Sequence, residues 1–568
     1  MAAWAWRGTR SVASIAALFV MQAAMVDPAK AQPSSACQPL TAAQAADLAK
    51  NRDAIGLATD KLTGRKNRDG VRALLVPALA LLDEGCLDEA GRAFSAIRAL
   101  DLGKDEGAIG LWRAAIDVEA NIAIARNDLD GAATIWLGAA DELPARGAAT
   151  VAISYPLVFQ AAETWRRAGE ERGDAAALEQ AAVLYRDRLL PMLNRENDRL
   201  PWLFVQTNLG IALYGIGQHR SGAARNGALE AAVGALEQAL AVARAEENPW
   251  IWAKGQQNLA AALTSLASGG SGDVPDYARR AVDAGRLALA YLSPASGPDE
   301  WAGAKANLAS GLMMLGKYAA DSQSDSLLEE AAAAIDDSLT VYTADKTPSL
   351  WAAAQANLGL VRLEQAQRKN GPVRQQLLQE ALAAFDASQT ALSQIDGPRQ
   401  WATGALNRGW TLWLLATNAT GRDAQSLMTR AIEADRDALT IFTREETPVQ
   451  WAQTRNNLGL ALGDLGNMRG GEAGLLLLRE AIVALEGAMT VFTRSDMPLQ
   501  WAQARANAGA AMANMSRLEP AREKEHLTGA AQALAEAATV FTQQGVPAEA
   551  QRANAMVAQI RQMLARMK

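Results

Sequence analysis

The chain has little of what catalysis and metal binding draw on. Its 568 residues hold two cysteines and two histidines. Two sulfurs cannot build a four-sulfur metal site. His219 and His526 lie far apart in polar stretches (GQHRSG and EKEHLT) with no partner at ligand spacing, so both are expected on the solvated surface. No glycine pattern of a phosphate-binding loop or a dinucleotide fold occurs. Ser268-Gly269-Gly270-Ser271-Gly272 is glycine-rich but lacks the Lys-Ser/Thr ending, and reads as a flexible loop. Acidic pairs such as Glu329-Glu330 and Glu445-Glu446 fit a solvated helical face. No cofactor and no enzymatic activity are expected, unless residues 32–200 conceal a site. Positive charge is outweighed: 55 Lys and Arg stand against 62 Asp and Glu, a net charge of −7. A chain of this sign has no electrostatic footprint for nucleic acid or an anionic membrane.

Long apolar runs are missing except at the start. Arg7 and Arg10 precede an apolar stretch at 11–26, and Ala29-Lys30-Ala31 offers a small-x-small cleavage site. That order is the signature of a secretory leader spanning 1–31. The stretch has 16 residues, short of the about 20 that a membrane-spanning helix needs; an uncleaved anchor is the alternative. The expected location is therefore the periplasm or the exterior of a bacterial cell, with no stable membrane insertion once the leader is removed. Removing 1–31, which carries Arg7, Arg10 and Lys30 against Asp27, takes the net charge from −7 to −9. Cys37 and Cys86 would then meet an oxidising compartment and are a candidate disulfide. Two unpaired thiols are the alternative.

What is abundant is repetition. Trp202, Trp252, Trp301, Trp351, Trp401, Trp451 and Trp501 recur at spacings of 50, 49, 50, 50, 50 and 50. Pro stands three residues before six of them, at Pro249, Pro298, Pro348, Pro398, Pro448 and Pro498. Asn stands six residues after every one: Asn208, Asn258, Asn307, Asn357, Asn407, Asn457 and Asn507. Leu usually follows the Asn, with Arg408 and Ala508 as exceptions, and then Gly or Ala. At about 100° per residue, Leu458, Leu462 and Leu465 fall within about 40° of Trp451, so the tryptophans belong to an apolar core stripe. A second helix follows each first one, as in residues 427–443 and 477–493, with alanines at Ala431, Ala434 and Ala438 and at Ala481, Ala484 and Ala488. Tyr342, Phe442, Phe492 and Phe541 close four of the units.

The Leu-Gly of the first helix, the spaced alanines of the second and the Pro between units resemble the tetratricopeptide repeat family, in a variant whose unit is about 50 residues and not 34. The resemblance implies an all-α fold, a solenoid of helical hairpins in a curved right-handed superhelix whose first helices line a concave groove. The array runs over 201–547. Residues 32–148 are looser hairpins, with Gly85-Cys86-Leu87-Asp88-Glu89-Ala90 and Asn127-Asp128-Leu129-Asp130-Gly131-Ala132 as turn signals. Residues 149–200 read as an irregular helical pair and 548–568 as a capping helix.

The seven asparagines lie on the flank of the stripe, about 120° from Trp, where core packing does not account for an amide. An Asn side chain offers a donor and an acceptor together, a match for an extended peptide backbone. The row is similar to the asparagine ladder of peptide-holding tetratricopeptide domains, and the resemblance implies a scaffold or adaptor binding a protein or peptide segment. The other possibility for the row is bracing, each amide bonding the neighbouring repeat. Two other functions stay open: a self-assembling envelope component, or a solenoid that takes a small ligand or glycan.

Overall fold

The computed structural model describes residues 54–567, apart from 63–64, 101–105, 147–149, 221, 271 and 393–396, together with Thr41 and Gln44. The leader at 1–31 and Cys37 lie outside the described residues. Among the described residues every regular element is helical. None is long and apolar enough to cross a membrane. The chain divides into two compact units, one ending at Leu266 and one beginning at Ala267.

The unit ending at Leu266 holds α1 (Arg65–Asp83), α2 (Leu87–Arg98), α3 (Glu106–Ala125), α4 (Leu129–Arg146), α5 (Val151–Arg172), α6 (Ala175–Val183), α7 (Arg199–His219) and α8 (Gly222–Leu240). Consecutive helices pack antiparallel around Phe94, Leu111, Ile116, Leu157 and Tyr185, all fully buried. The pair α5–α6 is the irregular one. Asp174 caps α6 through its side chain, and the helix then widens into a π-helical stretch at Leu184–Leu189 and tightens into a 3-10 turn at Leu190–Met192. Pro191 removes a backbone donor from this stretch and so ends the regular ladder. Cys86 precedes α2, is buried and is disulfide-bonded. Its pairing with Cys37 remains a proposal.

Helix α9 (Pro249–Ser268) carries the boundary between the units. Beyond it come α10 (Val274–Leu289), α11 (Pro298–Tyr318), α12 (Asp321–Leu339), α13 (Pro348–Gln367), α14 (Gly371–Ala391), α15 (Pro398–Ala416) and α16 (Gly421–Leu439). They are followed by α17 (Pro448–Arg469), α18 (Gly471–Met489), α19 (Pro498–Leu518), α20 (Glu523–Gln543) and α21 (Pro547–Arg566).

Each repeat is punctuated the same way. Proline opens the first helix, where its missing N–H costs nothing, and the Trp N–H then bonds the residue four back, as from Trp451 to the Thr447 carbonyl at 2.9 Å. Thr447 also ties the incoming chain, accepting from the Thr443 N–H at 3.0 Å. Thr343 and Thr347 form the same clamp two units earlier. Between the two helices of a unit the chain turns through left-handed backbone at Gly371, Gly421 and Gly471, a conformation glycine adopts without strain.

Packing follows from the stripe. Within this unit each first helix packs on its own second helix, on the second helix before it, and on the first helix of the next repeat. First helices are therefore enclosed on several sides. In α17, Leu458, Leu462 and Leu465 are all buried, each worth about 1.5–3 kcal/mol relative to exposure. The glycine eight residues after Trp is the contact point with the second helix: a Cβ on Gly459 would lie 2.6 Å from Leu485 Cγ, and one on Gly359 would lie 2.6 Å from the Phe385 ring. Tyr342, Phe442, Phe492 and Phe541 close the hairpins from inside the core. The tryptophans are half-buried. Trp451 packs beside Phe442 and Phe492 and carries Arg455 on its outer face, 5.3 Å from the ring centroid.

The chain is thus a tetratricopeptide-like array of helical hairpins with a lengthened unit.

Candidate functional site

The spacing that fixes the core also fixes the asparagines. A residue six places after Trp falls on the flank of the first helix that faces neighbouring first helices, not its own second helix. In the unit ending at Leu266, Asn208 and Asn258 are half-buried. In the other unit Asn307, Asn357, Asn407, Asn457 and Asn507 are all buried, and Asn357 is 3% exposed. Burial deprives an amide of water, so its hydrogen bonds must come from protein or from a ligand.

Those bonds differ along the row. Asn208 Nδ2 donates to Glu163 Oε1 at 2.6 Å. Asn457 Oδ1 accepts from Gln453 Nε2 at 3.2 Å, one turn earlier on its own helix. Asn507 Nδ2 donates to Asn456 Oδ1 of the preceding first helix at 3.4 Å, while its own Oδ1 has no partner. Asn357 has a partner for neither amide atom, and Asn407 Nδ2 has none. Each buried, unpaired polar group costs about 1–3 kcal/mol. The middle of the row therefore holds unused hydrogen-bonding capacity.

The surroundings of the row are polar but mostly internally satisfied. Trp413 Nε1 donates to Asp464 Oδ2 at 2.9 Å, joining α15 to α17. The Trp413 ring stacks on Trp410 with centroids 4.8 Å apart. On α13, Glu364 is paired with Arg368, whose guanidinium also reaches the Lys317 carbonyl of α11 at 3.0 Å. Lys317 itself is held below the usual lysine range by burial, with Arg368 adding to the effect and Glu364 opposing it. These contacts staple one first helix to the next near their C-terminal ends.

At the other end of the row, Glu163 on α5 gathers donors from three elements. They are Asn208, the Tyr185 hydroxyl and Arg166 Nη2 at 2.9 Å. Arg166 also pairs with Glu170. Burial pushes the Tyr185 hydroxyl well above the ordinary tyrosine range, and the Glu163 charge adds to it. The π-helical stretch places Tyr185 here. A carboxylate with three donors is a satisfied structural cluster. On α7 and α9, Leu200, Phe204 and Trp250 are exposed, at positions two before or two after the repeat tryptophans.

Among the described residues no group of three or more histidine, cysteine or acidic side chains is placed to hold a metal ion. His526 corrects an expectation. It is buried, at 8% exposure, and its Nε2 lies 2.8 Å from Glu519 Oε2. It pins the 3-10 turn at Pro520–Arg522 to α20, because the polar-looking stretch EKEHLT is the first turn of that helix. Sequence reasoning also missed Asp435, a carboxylate at 1% exposure inside the α15–α16 hairpin. The signal was present: aligned on the tryptophans, its position holds Ile335, Phe385 and Leu485 in the neighbouring units.

No protein-family model matches the chain, and no curated protein matches it significantly. Several solved structures are similar in their helical arrangement. The apo form of RapI aligns over 72% of this chain and 99% of its own, at 14% identity and a TM-score of 0.36. The Cut9-Hcn1 hetero-tetramer of the APC/C aligns over 92% and 94%, at 13% identity and a TM-score of 0.27. Yeast Tom70 aligns over 87% and 96%, at 12% identity and a TM-score of 0.22. These scores are low, and the repeat architecture rests on the hairpins described above.

Proposed function

We propose that the chain is an exported scaffold or adaptor that holds a protein or peptide segment along its first-helix asparagines, without acting on it chemically. The observation that carries this reading is Asn357, buried with neither amide atom paired, in register with the unpaired Nδ2 of Asn407. Packing alone is better served by alanine at such a place, since an amide without partners only adds desolvation cost. A donor and an acceptor repeated once per hairpin suit an extended main chain that runs past successive first helices. The row brings no charge of its own, so recognition would rest on amides and shape and depend only weakly on salt. Export rests on the leader at 1–31 and places the protein in the periplasm or outside the cell.

A second reading has its own support. Asn507 bonds Asn456 of the previous repeat, and Asn208 bonds Glu163. At both ends, then, the row also works as bracing. The two roles separate by mutation. Changing Asn357, Asn407 and Asn457 together to Ala is expected to weaken partner binding without lowering the melting temperature. A cooperative loss of stability with binding intact would assign the whole row to bracing.

A further inference from the structure

In the hairpins opened by Trp301, Trp351 and Trp451, the position 34 residues after the Trp is a core seat. Ile335, Phe385 and Leu485 fill it, each fully buried against the first helix of its own hairpin. In the α15–α16 hairpin the same seat holds Asp435, equally buried, with Oδ1 unpaired. Gly409 makes the room: a Cβ there would stand 2.7 Å from Asp435 Oδ1. The charged groups around it are engaged elsewhere. On α15, Arg408 pairs with Asp386 of α14. On α16 itself, Arg436 pairs with Glu480 of α18, and Asp437 and Glu433 lie on the more exposed side. On α17, Asp464 accepts from Trp413 and Arg455 donates to the Val483 carbonyl. Asp435 is thus a carboxyl in an apolar seat with no counter-charge.

A carboxylate cannot be kept ionised there without water or a cation. Burial accordingly pushes the Asp435 carboxyl well above the usual range, with no neighbouring charge contributing. The neutral acid can sit in the seat of a leucine, whereas the ionised form must reach solvent, which requires α16 to part from α15.

We propose that the α15–α16 hairpin is a pH-dependent joint in the array, closed while Asp435 is protonated and opening locally as it ionises. The sign follows from the raised folded-state value. The stabilisation is fully present below the ordinary aspartate range and falls as pH rises from there through the folded value. The joint depends on the seat and not on what the asparagine row binds.

The test is native-state amide hydrogen exchange on the full chain, read hairpin by hairpin from about pH 5 to about pH 7. Opening that releases one proton multiplies the open population by up to about tenfold per pH unit, on top of the about tenfold rise in chemical exchange. Amides of α15 and α16 are therefore expected to speed up by as much as about 100-fold per unit, against about tenfold in α17 and α18. Asp435→Leu, which restores the residue of the Leu485 seat, and Asp435→Asn, which keeps the shape without the titration, should both bring α15–α16 back to the slope of their neighbours. Equal slopes in the wild type and both variants would overturn the proposal. So would an extra slope shared by all hairpins of the unit, since the opening would not be local.

Discussion

Replacing Asn357 by alanine is expected to leave the protein as stable as before or more so, the reverse of the usual result for a buried side chain. Asn357 is 3% exposed and neither amide atom has a partner. Burying two such groups costs about 1–3 kcal/mol each. Alanine removes both, at the expense of a small cavity and lost contacts worth about 1–2 kcal/mol. The balance favours the variant by roughly 0–5 kcal/mol. Urea unfolding followed by far-UV circular dichroism reads this as an unchanged or raised midpoint with the same slope. Asn507→Ala is the internal contrast. It removes the bond to Asn456 and leaves that buried oxygen unpaired, so it should cost about 1 kcal/mol more than Asn357→Ala. A midpoint for Asn357→Ala lower by more than about 1 kcal/mol would refute the reasoning, because the amide would then be bonding its neighbours.

Three further expectations follow. Gly459→Ala should destabilise by about 1–3 kcal/mol in the same assay, since its Cβ would meet Leu485 Cγ at 2.6 Å and the Ala481 carbonyl at 3.0 Å. Trp413→Phe keeps the apolar bulk but strips Asp464 of its 2.9 Å donor, so α15–α17 packing should weaken by about 1–3 kcal/mol; the Asp464→Leu/Trp413→Phe double variant should recover part of it. Reducing the Cys86 disulfide is expected to lower the stability of the hairpins around α2 by about 2–4 kcal/mol, seen as a fall in the thermal midpoint under reductant.

The repeat architecture was legible because one register carries several independent signals. Pro at N1, Trp at the start of the stripe, Gly at the helix crossing and an aromatic at the close each have a physical cause. Each recurs at its own place in most of the hairpins. The irregularity of α5–α6 was legible as a break in pattern, but its π-helical form was not, because it depends on how Tyr185 and Leu189 settle into the core. The asparagine row was legible as a row, yet its burial was not. A helix wheel shows which residues share a flank, and only packing of first helix on first helix shows that this flank is enclosed. Asp435 was legible in principle as a charge in a leucine register. His526 was not, since its burial depends on the 3-10 turn folding back over α20.

The most direct test of the central claim is site-specific photo-crosslinking in cells that make the chain. A photoreactive residue replaces Gln453, beside Asn457 on α17, or Val483, exposed on the outer side of α18. The account predicts that a distinct protein is captured from position 453 and not from 483, and that the capture is lost when Asn357, Asn407 and Asn457 are changed together to Ala in a chain that still melts normally. Capture of only further copies of the chain, or of the same partner from both positions regardless of the asparagines, would contradict it.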